Sequence, residues 1–162
     1  MKLEGVKVLD LSMFLPGPLM TQMMADHGAE VIRIEPSAGE PNREIGLKRD
    51  GVTVYFANTH RGKQSLTLNL KQPEAVEIVH RLAKDADVVV EGFRPGVAER
   101  LGVGPKKLRE INPGLVYASL SAFGQDGPYR DRPAHDPSVQ ALVGTMWANE
   151  GLDGKPTLAG VQ

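Results

Sequence analysis

VKVLDLSMFLPGPLMTQMMADHGAEVIRIE, running from Val6 to Glu35, is the stretch that decides the fold. Val6 to Leu11 is a short β-branched and aliphatic run and reads as a strand. Pro18 then stands where a first helical residue would, Met20, Met23, Met24 and His27 fall on one side, and Gly28 supplies the stop. Ala29 to Ile34 reads as a second strand. Strand, tight turn, helix and strand form the unit from which parallel sheets are made, because parallel neighbours need a crossover that holds a helix.

The alternation continues downstream. From Ser65 to Leu70 the leucines Leu66, Leu68 and Leu70 fall on one face and Ser65, Thr67 and Asn69 on the other, a strand wet on one side. A helix opens at Pro73 and Glu74, carries Val76, Val79, Leu82 and Ala83 at helical spacing, and closes with Arg81 and Lys84, where the dipole favours cations. Val88–Val90 and Leu115–Leu120 read as buried strands, separated by the proline-opened segments Pro95–Leu101 and Pro105–Ile111. A last helix is predicted from Pro137 to about Trp147, with Asp136 as N-cap and Val139, Leu142, Val143 and Met146 facing inward. The expected fold is α/β and Rossmann-like, a doubly wound, mainly parallel sheet with helices on both faces. No repeat, low-complexity tract or interior boundary interrupts residues 1–162, read as one domain. Pro36 to Gly51 is long for a structureless connection, so it is expected to be functional or mobile.

Composition narrows the chemistry. At 162 residues, with 41% apolar and 24% charged, the chain has the make-up of an ordinary soluble domain with a sizeable core. Nineteen basic and twenty acidic residues leave a formal charge of -1, which draws the molecule to neither nucleic acid nor an anionic membrane, so any anion site must be local. The absence of cysteine excludes disulfides, thiolate catalysis and sulfur-bound metal, and fits a reducing compartment. His27, His60 and His80 have no ligand spacing with an acidic partner, so no metal is expected. No apolar run has the length of a membrane span, and the start lacks the apolar region of a signal peptide; a cytoplasmic protein is expected.

Doubly wound sheets bind ligands beyond the carboxyl ends of their strands, which here points to Ser12–Gly17, Glu91–Gly96 and Ala122–Asp126. The fingerprint G-x-G-x-x-G is missing after the first strand, which argues against NAD or FAD. The turn in its place, Phe14 to Pro18, either presents backbone amides to a negative group or merely starts a helix.

Several signatures in fixed order carry a resemblance. They are Leu9-Asp10-Leu11, Gly17-Pro18, Asp26 to Glu35, Lys63-Gln64-Ser65, Asp87 to Gly96 (close to D-V-x-x-E-N-F-R-P-G), Ala122 to Tyr129 (close to G-F-G-Q-x-G-P-Y) and His135-Asp136. Together they resemble the amino-terminal part of a family III CoA-transferase, the group that includes carnitine and formyl-CoA transferases and α-methylacyl-CoA racemases. The resemblance implies coenzyme A or an acyl-CoA as the bound substrate, with a carboxylic acid as acceptor. Carried over by position, the CoA contacts would be Leu15 and Pro16, Leu68 and Asn69 through Lys71, Gly92, Phe93 and Arg94, Arg100, and Pro133, Ala134, His135 and Asp136. Arg94, Arg100 and Lys71 would supply charge-assisted donors to the phosphates. For Arg100 and Lys71 an ordinary solvated surface cation is the alternative. Gly92 stands where the family pattern has asparagine.

Transfer in the family runs through an aspartate that attacks the thioester and passes through mixed-anhydride and aspartyl-CoA intermediates. By the spacing of relatives that aspartate falls beyond Gln162, so this chain is expected to be a fragment, inactive alone, without the smaller domain and returning segment of the family. The resemblance also implies a homodimer of interlocked rings. Racemase-like members place a proton-transfer histidine at the position of His135, which leaves an acyl-CoA epimerase as one alternative; a non-catalytic CoA-binding or interaction domain is the other.

Overall fold

The apolar runs become one sheet in a computed structural model that describes residues 1–159. Strands β1 (Lys7–Leu11), β2 (Glu30–Glu35), β5 (Gln64–Thr67), β6 (Val88–Glu91) and β7 (Val116–Ser119) form it in the order β5-β2-β1-β6-β7. Every neighbouring pair is parallel. The connections hold α1 (Pro16–Asp26), α2 (Val54–His60), α3 (Pro73–Ala83), α4 (Val97–Arg100) and α5 (Pro105–Ile111). The chain builds outward from β1 to β5, then returns to the other side of β1 with β6, so the order reverses between β1 and β6. Such a switch point opens a crevice beyond the strand ends.

Period-two alternation assigns the faces. Leu9, Leu11, Ile34 and Val89 pack with Ala75, Val79 and Ala83 of α3, Ala98 of α4 and Leu108 of α5. Val8, Val31 and Val90 point the other way, towards Met20, Met24 and Ala25 of α1. Helices therefore cover both faces, as the sequence predicts. β5 keeps the alternation read from its leucines, with Leu68 buried and Ser65, Thr67 and Asn69 exposed.

Four local expectations are corrected. The buried side of α1 is Gly17, Pro18, Thr21 and Gln22, and Met23 is exposed, because α1 covers a polar centre rather than a purely apolar one. β7 is an edge strand with Val116 59% exposed, not a fully buried one, since nothing pairs with its outer side among the described residues. The Pro36–Gly51 connection is ordered: it contains a 3₁₀ turn at Pro41–Arg43 and leads into a hairpin of β3 (Lys48–Arg49) and β4 (Val52–Thr53). That hairpin runs directly into α2, a helix the sequence reading passed over, whose N-cap Thr53 accepts the Phe56 N–H at 3.1 Å.

The fourth correction concerns the last helix. It divides into α6 (Asp136–Leu142) and α7 (Thr145–Ala148) at Gly144, whose φ of 82° leaves the helical region. His135, not Asp136, is the N-cap, and Leu142 and Val143 are exposed. The buried side chain of α6 is Gln140, which accepts the Ala159 N–H at 2.9 Å. Where the sequence suggests no interior boundary, the chain groups into two compact units, Met1–Ser121 and the residues from Ala122 on.

The polar centre under α1 is made of charge. Asp10 lies in the middle of β1 with no exposure. Its carboxylate accepts from the Ser12 N–H at 3.0 Å, the Thr21 hydroxyl at 2.6 Å and the Lys63 ammonium at 3.0 Å. Arg33 of β2 lies 3.5 Å from the same carboxylate and also pairs with Glu40, both side chains being almost wholly buried. Two carboxylates and two cations thus cancel. Burial pushes the Asp10 carboxyl up, but Lys63, Arg33 and the Ser12 and Thr21 hydroxyls pull it further, to below the ordinary value. For Lys63 burial wins and lowers the ammonium. Removing one member strands the others, which typically costs about 3–5 kcal/mol. Asp10→Ala is therefore expected to lose about that much in urea unfolding, and a loss under about 1 kcal/mol would show that the network is not structural.

Candidate functional site

The ends of β1, β2 and β5 surround a cleft of about 220 Å³ on the carboxyl side of the sheet. Leu11, Ile34, Leu68 and Leu70 make its apolar walls, with Phe93 from the loop after β6 and Leu101 from the end of α4. Leu68 and Leu70 follow directly on the end of β5. Asn69 and Lys71 give the rim its polar groups, and the Asn69 side chain accepts the Lys71 N–H at 3.2 Å. A flat, weakly polar ring suits such walls, and an anion suits the ammonium at the rim.

Phe93 is held by its backbone. Glu91, at the end of β6 and 4% exposed, accepts the Phe93 N–H at 2.7 Å and also bonds Ser119 across the β6–β7 pair. Burial raises the Glu91 carboxyl above its ordinary value, against those two hydrogen bonds. Gly96 at φ 80° ends this loop and caps α4. Gly92 lies against the first turn: a Cβ there would sit 3.6 Å from Ser12 Cβ and 3.7 Å from the Met13 nitrogen, ordinary contact that leaves room for a side chain. Gly17 has no such room, since its Cβ would stand 2.2 Å from Ser12.

Glu35, also on the cleft wall, holds the place where dinucleotide enzymes keep a ribose-binding carboxylate. Here it is saturated. Arg43 grips it at 2.6 and 2.9 Å, the Glu40 N–H donates at 2.9 Å, and the Ser65 hydroxyl donates as well. Arg43 is itself stacked on Phe56, 4.0 Å from the ring centroid. With all its acceptor capacity spent inside the protein, Glu35 has none left for a ribose hydroxyl.

The structure thus gathers Leu68, Asn69, Lys71 and Phe93 of the expected contacts into one cleft, and sets Gly92 against the first turn. Arg94 and Arg100 lie outside the cleft, exposed, and Lys71, Arg94 and Arg100 have no ion pair among the described residues. Leu15 is the N-cap of α1 and Pro16 its first residue; neither lines the cleft. Pro133, Ala134, His135 and Asp136 belong to the second unit. There the His135 side chain makes no capping bond, Asp136 accepts from Gln140 at 2.5 Å, and Arg132 stacks 4.1 Å over Tyr129. Gln162, beyond which the resemblance puts the nucleophile, lies outside the described residues. Among the described residues no three metal-ligating side chains converge, and no helix is long and apolar enough to cross a membrane.

The sequence reading gave Glu40 and Asn42 no role, and named Lys63 and Glu91 only as members of motifs. A signal for Glu40 and Lys63 existed: Asp10 and Arg33 each interrupt an apolar run of a parallel strand, and charges there demand partners.

Arg43 draws the Glu35 carboxyl down to about 2 from the usual 4.5, against burial and with help from Ser65 and the Glu40 N–H. A depressed carboxyl adds stability that is complete above its unfolded value and fades as pH falls towards the folded one. The stability difference between wild type and Glu35→Gln should hold above pH 4.5 and shrink as pH falls from about 4.5 to about 2. Thermal unfolding across that range checks it, and a pH-independent difference would contradict it.

Residues 3–162 match CoA-transferase family III. An acetyl-CoA:oxalate CoA-transferase of Acetobacter aceti is 44% identical over 158 residues, covering 97% of this chain and 41% of that protein. An acyl-CoA transferase of Fusarium pseudograminearum is 42% identical over 169 residues, covering 98% of this chain and 37% of its own length. The chain therefore spans about two fifths of the curated relatives it matches. A crystal structure of a Mycobacterium tuberculosis protein superposes with a TM-score of 0.91 at 42% identity over 98% of this chain and 45% of that one. A CAIB/BAIF family protein from Brucella suis gives 0.91 at 36% identity over 98% and 43%. By this match along nearly its whole length, the chain belongs to CoA-transferase family III.

Proposed function

We propose that this chain binds coenzyme A, as the CoA-holding part of an enzyme that moves CoA from an acyl-CoA to a carboxylic acid. The observation that carries the reading is the apolar cleft at the switch point, with Lys71 on its rim and Arg94 and Arg100, exposed and without an ion pair among the described residues, on the neighbouring loop and helix. The walls suit the adenine ring and the cations suit the phosphates. The names of the two relatives support the same chemistry, one an acyl-CoA transferase and the other an acetyl-CoA:oxalate CoA-transferase.

In this reading the bond-making step belongs to an aspartate beyond Gln162: its carboxylate attacks the thioester carbonyl, CoA leaves as thiolate, and CoA then re-enters at the aspartyl carbonyl as the donor acid departs. The share of residues 1–159 is binding and orientation. Pro133 to Asp136 keep the CoA-contact role that the resemblance gives them, as residues of the second unit, and the molecule is assigned to the cytoplasm as a homodimer. The exposed Leu47 and Trp147, 84% and 80% accessible, are side chains that self-association would cover. One observation favours the epimerase alternative: the exposed His135 ring is not used for capping. Deuterium exchange at the α-carbon of an acyl-CoA, abolished by His135→Ala, would establish that activity.

Calorimetric titration with CoA should show saturable binding that weakens as salt is raised. Arg94→Ala should weaken it about tenfold, the size of one charge-assisted hydrogen bond. A folded chain that fails to bind CoA, or an Arg94→Ala affinity equal to wild type, would overturn the assignment.

A further inference from the structure

The turn between β1 and α1 is held in a costly shape. Phe14 has a φ of 65°, in the left-handed region that bulky side chains seldom enter. No regular element supports it there. Three side chains from elsewhere bond its backbone instead. The Ser12 carbonyl accepts from Arg33, the Phe14 N–H donates to Glu40 at 2.8 Å, and the Phe14 carbonyl accepts from the Asn42 amide. Glu40 and Asn42 are 2% and 0% exposed, so neither serves a solvent-facing role.

These two residues are themselves anchored. Glu40 is paired with Arg33, and its own N–H is tied to Glu35. The Asn42 carbonyl accepts from the Thr53 hydroxyl, the same group that caps α2. Strain that persists because its surroundings over-determine it marks a place where geometry matters. Met13, the residue before Phe14, lines the cleft at the ends of β1, β2 and β5.

We propose that Glu40 and Asn42 are positioning residues for CoA: they hold Phe14 in the left-handed conformation and so set the turn that places Met13 on the cleft wall. The inference rests on the CoA-binding reading above. Without the clamp Phe14 relaxes to an ordinary conformation, and only the minority of molecules with the strained turn remain competent to bind. Glycine at position 14 has no such preference, so it should make the clamp dispensable.

The test compares wild type, Asn42→Ala, Phe14→Gly and the double variant, titrated with CoA by calorimetry; the Phe14 HN–Hα scalar coupling is measured where Phe14 is retained. Asn42→Ala should change that coupling and weaken CoA about tenfold, and the double variant should bind within about threefold of Phe14→Gly alone. An unchanged coupling and affinity in Asn42→Ala would overturn the proposal, as would a loss that Phe14→Gly does not rescue, which marks a merely structural residue. If Asn42→Ala does not fold, the near-isosteric Asn42→Leu, which fills the same space but cannot donate to the Phe14 carbonyl, takes its place in the same comparison. Wild type that binds no CoA removes the binding reading. The coupling then judges the clamp alone, and an unchanged value rejects it.

Discussion

Asp10 is an ionised group in the middle of the central strand, and the rest of the first unit is arranged to make that tolerable. A lone buried carboxylate is too costly to keep charged. Four donors from four places answer it: the Ser12 N–H from the following turn, Thr21 from α1, Arg33 from β2 and Lys63 from the approach to β5. Each partner is a separate statement about where a piece of backbone must lie. An apolar residue at position 10 would pack against α1 with less demand on its neighbours. The charge exchanges some stability for register, a use of buried polar groups known from other folds.

Because Arg33 has a second carboxylate to satisfy, the same network extends into the connection after β2. Glu40 anchors the start of the 3₁₀ turn, and Arg43 closes onto Glu35. The connection whose length suggests a functional or mobile segment is bonded at Glu40, Asn42 and Arg43. Loop residues gain order from burial of their charges just as strands gain it from burial of their methyl groups.

The sheet was legible because its strands are nearly continuous apolar runs and its helices open on proline, both short-range signals. α2 escaped for the opposite reason: Val54 to His60 carries β-branched and aromatic residues with no strong helical stripe, and packing supplies what propensity does not. The break at Gly144 and the exposure of Leu142 also lie beyond periodicity, since a pattern marks a face but not what covers it. For the site, local motifs located Leu68, Asn69, Lys71 and Phe93 but not the Glu40 and Asn42 contacts to Phe14, which join residues 26 and 28 positions apart. Long-range pairing of this kind leaves a trace in sequence only as charges in the wrong place.

The strand at the middle of the sheet is also the first of that sheet in chain order. On the ribosome β1, α1 and β2 emerge together, yet Asp10 has only Arg33 and its near neighbours until Lys63 leaves the tunnel. The other edge of β1 stays open until Val88 to Glu91 follow. Burying that carboxylate under α1 costs more without its ammonium than with it. The first half of the sheet therefore reaches its full electrostatic balance only with Lys63, and its full pairing only with Val88 to Glu91.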